Sequence, residues 1–104
     1  MGKVVPLPKI KRADVFASEI NDRARFSSMV VLTDHIIEQM AERDISSRQV
    51  MAVLRKGQAP SDAPYNERHG TYEGKMVYAG GGREITVVCA LKDQTLHVYG
   101  ITVY

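Results

Sequence analysis

Three histidines, His35, His69 and His97, are the side chains of this sequence that exchange protons near neutral pH. The arginines Arg43, Arg68 and Arg83 offer planar forks that match a phosphate group. With Tyr72, Tyr99 and Tyr104 they supply the residue types for acid–base work on a phosphodiester. Cleaving RNA in that way needs a base for the 2′-OH proton, an acid for the leaving oxygen, and cations for the charge developing on phosphate. It requires no metal and no cofactor, and the sequence points to neither. The histidines lack HxxxH or HExxH spacing and Cys89 has no second cysteine, so a zinc site is not expected. Cys89 falls within the most apolar strand, where a thiol acts as a small hydrophobe. Gly80–Gly82 is followed by no Lys-Ser/Thr pair and reads as a turn, not a phosphate loop.

Each of these residues also has a plainer reading. His35, at the second position of a helix, suits a surface or cap role. Arg43 follows Ile36 by seven residues, about two turns, so it projects near the apolar side, where a structural ion pair would hold it. Arg68-His69 fits a solvated loop, and His97 with Tyr99 can simply cover one face of a strand.

The elements that must position them begin with Leu32–Gln58, which reads as two successive helices. Thr33 or Asp34 caps the first, with Ile36, Ile37, Met40 and Ala41 as its apolar stripe. Asp44 and Ile45 break it, and Ser46 or Ser47 caps a second helix that carries Val50, Met51, Val53 and Leu54 and ends at Gly57. Before this pair, Ala13 to about Ser27 is helical, and Met29–Leu32 is a short β-type run. The stretch QAPSDAPYNERHG reads as a long loop. From Gly70 the period is that of strands: Thr71-Tyr72 and Lys75–Ala79 around a tight turn at Glu73-Gly74, then a central strand Arg83–Leu91. A Lys92-Asp93-Gln94 hairpin leads to a last strand, Thr95–Tyr104, with Thr102 and Tyr104 on one face and His97, Tyr99 and Val103 on the other. Helices first and strands afterward predict an α+β fold: N-terminal helices packed on one face of a curved antiparallel sheet of about four strands.

At 104 residues the chain forms one domain, with residues 1–12 as a basic extended tail, 13–28 as the first helix and 30–104 as the core. A net charge of +2 and a pI near 8.8 are compatible with a nucleic-acid partner without demanding one. The tail carries Lys3, Lys9, Lys11 and Arg12, suited either to an edge strand or to a phosphate backbone. One cysteine, no apolar run of membrane-spanning length and no secretory pattern predict a cytoplasmic protein without a membrane partner.

The segment HIIEQMAERDISSRQVMAVLRKGQ resembles the signature of the small bacterial domains of the DUF4258 family, with His35, Met40, Arg43, Ile45, Val50, Leu54 and Gly57 in register. The closing ITVY resembles that family's Thr-x-Tyr ending, matching Thr102 and Tyr104. The likeness covers about Val30 to Tyr104. The family is regarded as similar to the RelE-like and barnase/colicin-like (BECR) ribonucleases, many of them metal-independent toxins neutralised by a partner protein. That resemblance implies a cleft shared by His35, Arg43 and Thr102. Unlike the ribosome-dependent relatives, this chain has no lysine cluster in its C-terminal strands.

Together these readings give the expectation of a toxin-type, metal-independent endoribonuclease. His35 would act as general acid or base and Arg43 as phosphate clamp. Thr102 and Tyr104 would position the substrate, with Arg68, His69, Arg83, His97 and Tyr99 contacting it. RNA and a cognate inhibitor would be its partners. The rival expectation is a non-catalytic module that keeps the fold and binds a protein or nucleic acid.

Overall fold

The structure is a computed structural model that describes residues 9–92 and 94–104. The chain runs β1 (Ile10–Lys11), α1 (Ala13–Ala24), a 3-10 turn (Ser27–Met29), β2 (Val30–Leu32), α2 (Asp34–Arg43), α3 (Ser47–Lys56), β3 (Ala63–Asn66), β4 (Thr71–Gly80), β5 (Arg83–Lys92) and β6 (Val98–Val103). The expected α+β class holds. The sheet has six strands rather than about four, in the order β1-β3-β4-β5-β6-β2. Neighbours are antiparallel except β2 and β6, which run parallel.

Local chemistry sets the helix boundaries. Thr33 caps α2 by accepting from the Ile36 N–H, and Asp44 ends it in the left-handed region at φ 54°. Ser46 and Gln49 form a reciprocal capping box at the start of α3. At their far ends α1 and α3 satisfy one another. Asn21 Nδ2 donates to the Leu54 carbonyl at 2.7 Å, and Arg55 Nε donates to the Ala24 carbonyl at 2.7 Å. Carbonyls left over by the helical ladder thus find partners on the neighbouring helix.

The core lies between these two helices and one face of the sheet. Phe16, Ile20 and Ala24 of α1 and Val50, Val53 and Leu54 of α3 pack on Met76, Ile85, Val87, Cys89, Leu91 and Val98, all buried. Helix α2 does not share that position. It lies against β6 beyond the end of β2, where Gln39 Oε1 accepts from the Val103 N–H at 3.1 Å. Ile36 is buried, but Ile37, expected in the same stripe, is half exposed, and Ala41 is exposed.

Four expectations are corrected. Glu73-Gly74 is not a turn, because β4 passes straight through it and pairs with β5 along ten residues. Gly74 is needed for close approach instead: a β-carbon there would lie 2.8 Å from Cε2 of Phe16. The expected loop after Gly57 contains strand β3. The last strand begins at Val98, not Thr95, and the hairpin residue Asp93 lies outside the described residues, as does the tail before Lys9. Finally, a register shift between Val88 and Cys89 puts a bulge in the pairing with β6. Val103 therefore turns into the core, while Thr102, opposite Val88, keeps to the other face with Tyr99, opposite Ala90. Of the expected Gly80–Gly82 turn, Gly81 and Gly82 make the connection between β4 and β5 at positive φ, while Gly80 is the last residue of β4.

Candidate functional site

Strand alternation sends Ile85, Val87, Cys89 and Leu91 into the core, so their neighbours on β5 face away from α1 and α3. The register then fixes who stands beside whom on this open face. Thr71 pairs with Lys92, Glu73 with Ala90 and Lys75 with Val88 across β4 and β5, and Ala90 pairs with Tyr99 on β6. A groove of about 210 Å³ opens there, lined by Thr33, His69, Thr71, Glu73, Ala90, Lys92, Tyr99 and Ile101. A second hollow, lined by Tyr65, Arg68, His69, Gly70, Lys92 and Gln94, adjoins it through the shared residues His69 and Lys92.

The walls are built from the fold upward. Thr33 does two jobs: besides capping α2, its hydroxyl donates to the Gly100 carbonyl at 3.0 Å, fastening the helix start to β6 beside the groove. Small Ala90 leaves room at the floor. Glu73 is half buried. Its Oε2 accepts from Asn66 Nδ2 at 3.3 Å and its Oε1 from the Thr71 hydroxyl at 3.5 Å. Both bonds are long, and a carboxylate has about four acceptor sites, so capacity remains for another proton donor. His69 comes from the turn between β3 and β4, where Asn66 Oδ1 accepts from the Arg68 N–H at 3.0 Å. The Lys92 ammonium stands 5.9 Å from the Tyr99 ring centre, within the range of a cation–π contact. The His97 ring is 6.4 Å from that of Tyr99.

The groove thus gathers an imidazole, a carboxylate, an ammonium and a phenol, with the Arg68 guanidinium in the adjoining hollow. His69, Tyr99 and Arg68 are expected from the sequence to contact substrate. Glu73 and Lys92 are not, because the sequence pattern puts one in a turn and the other in a hairpin loop. The alternation of β4 carried the missing signal, since Thr71, Glu73 and Lys75 share one face. Cys89 points into the core, and burial pushes its thiol pKa up, away from the reactive thiolate.

The family model for the domain of unknown function DUF4258 matches residues 32–104, well over half of the chain. The chain belongs to this family. No curated protein and no solved structure matched.

In this DUF4258 domain the residues quoted for the family likeness serve mainly the core. Ile45, Val50, Leu54 and Gly57 are buried. His35 and Arg43 are not. Both are exposed, stand eight residues apart on α2 (about 12 Å along the axis), and neither lines the groove. Neither makes a side-chain hydrogen bond or ion pair among the described residues. The expected structural ion pair of Arg43 is therefore absent there as well. Arg83 is engaged at the helix end: its guanidinium donates to the Arg43 carbonyl at 2.8 Å and the Asp44 carbonyl at 3.2 Å. This stops α2 and leaves Arg83 away from the groove residues. Thr102 and Tyr104 do share the open face, farther along β6, where the Lys75 ammonium lies 5.7 Å from the Tyr104 ring centre. Among the described residues no helix is long and apolar enough to cross a membrane.

Proposed function

We propose that this domain is a metal-independent endoribonuclease working in the open-face groove, of the toxin type suggested by the family's likeness to RelE-like and barnase-like enzymes. The observation that carries the reading is the convergence of His69, Glu73, Lys92 and Tyr99 on one concavity of the sheet. In this mechanism Glu73 takes the proton of the ribose 2′-OH and that oxygen attacks phosphorus. His69, as imidazolium, gives its proton to the departing 5′-oxygen. The P–O5′ bond breaks as the P–O2′ bond forms, leaving a 2′,3′-cyclic phosphate and a free 5′-OH. Lys92 and Arg68 offset the charge gathering on the phosphate oxygens. These roles replace those expected for His35 and Arg43. Incubating labelled RNA with the protein in EDTA and identifying the new ends tests the reading. Cyclic phosphate termini are expected, and intact RNA would refute it.

One observation favours a second reading, binding without cleavage. Both carboxylate oxygens of Glu73 already hold partners, Asn66 and Thr71, as they would in a purely structural role. In that case the same face would bind RNA or an inhibitor protein and leave RNA uncut.

A further inference from the structure

The open face extends well beyond the groove, and its side chains follow a pattern that cleavage alone does not require. Along β5 the rows at Lys92, Ala90, Val88 and Thr86 succeed one another every second residue, about 6.6 Å apart. Lys92 stands in the first row. Tyr99 stands in the second, opposite Ala90. In the third, Lys75 and Thr102 flank Val88 from its two sides. The fourth belongs to Tyr104, whose backbone exchanges both hydrogen bonds with Thr86, at 2.7 and 2.9 Å. Cation, ring, cation, ring therefore succeed one another from row to row, with Lys92 on β5, Tyr99 and Tyr104 on the β6 side, Lys75 on β4, and Glu73 across Ala90 from Tyr99. Each tyrosine has a lysine beside it, at 5.9 Å for Lys92–Tyr99 and 5.7 Å for Lys75–Tyr104. At the Lys92 end the line runs into the hollow that contains Arg68 and His69.

A polynucleotide chain has the same alternation, one phosphate and one ring per repeat. Bases can lie against tyrosine rings only when they are unpaired, since a duplex hides their faces in its own stack. We infer that the open sheet face is a track for single-stranded RNA, on which Tyr99 and Tyr104 each receive a base and Lys92 and Lys75 hold the intervening phosphates. The inference rests on the ribonuclease reading for its choice of ligand and deepens it: unpaired RNA is the substrate class, and Lys75 and Tyr104 form a subsite remote from the bond that is cut. Val88, between Lys75 and Thr102 in the third row, keeps the track shallow, so the backbone can cross it without climbing over a bulky side chain.

The test uses 2′-deoxy oligonucleotides, which lack the attacking hydroxyl, so binding is read separately from cleavage. Fluorescence anisotropy of a labelled single strand, and of the same strand annealed to its complement, should show the single strand bound about tenfold tighter or more. Tyr99→Ala and Tyr104→Ala should each weaken single-strand binding by about tenfold, while Tyr104→Phe, which keeps the ring, binds like the parent. Lys75→Gln, at an exposed position, should lower the slope of log affinity against log salt by about one contact's worth, near 0.7. Equal affinity for duplex and single strand, or unchanged binding by both alanine variants, would overturn the track. The two readings fail separately. Ring-dependent binding with RNA left intact would retain the track and remove the nuclease. Cleaved RNA with ring-independent binding would do the reverse.

Discussion

The ring of Phe16 lies against Gly74 so closely that a β-carbon at position 74 would come within 2.8 Å of its Cε2. The contact seats α1 on the sheet directly behind Glu73, and Phe16 has no room to retreat because it is fully buried. Gly74→Ala should therefore destabilise the fold by about 1–3 kcal/mol, the usual cost of overpacking a filled core. The urea midpoint measures it. An alanine variant as stable as the parent would mean that α1 shifts freely over β4.

Thr33 joins the start of α2 to β6 through one hydroxyl that caps the helix and reaches the Gly100 carbonyl. Thr33→Val keeps the shape and removes both bonds. A loss of about 1–2 kcal/mol is expected in denaturant titration. Because this hydroxyl also fixes one wall of the groove, RNA cleavage should fall with it, through misplacement rather than lost chemistry.

Three conspicuous polar residues should prove dispensable for cleavage. Arg83→Ala forfeits the contacts that end α2, and at an exposed position this should cost less than about 1 kcal/mol. His35→Ala and Arg43→Ala remove exposed side chains that reach nothing among the described residues. All three variants should melt near the parent temperature and cut RNA at close to its rate. A collapse of activity in folded His35→Ala or Arg43→Ala would return catalysis to α2.

Features governed by neighbours in sequence were legible in advance. The caps, narrowed to Thr33 or Asp34 and to Ser46 or Ser47, the helix break at Asp44-Ile45 and the turn within Gly80–Gly82 all follow from adjacent residues. What depends on register was not. Glu73 meets Ala90, and through it Tyr99, only because ten residues of β4 pair without slipping. The sequence hides this, since Gly74 reads as a turn when it actually accommodates a ring from a distant helix. The bulge opposite Val88 likewise reverses the faces of the last strand's end, which strict alternation cannot foresee. The family resemblance implies a cleft shared by His35, Arg43 and Thr102, a placement that requires α2 over the sheet. Lying along its edge instead, the helix can leave both exposed.

The most direct test is the turnover of a short RNA of defined sequence, in EDTA, by the parent and by Glu73→Gln. The substitution keeps the size and one of the two acceptor oxygens that meet Asn66 and Thr71, but cannot accept the 2′-OH proton at neutral pH. The rate should drop about 100-fold or more while the melting curve stays in place. Cleavage by a folded glutamine variant at the parent's rate would contradict the assignment of the base, and with it the siting of catalysis on the open face.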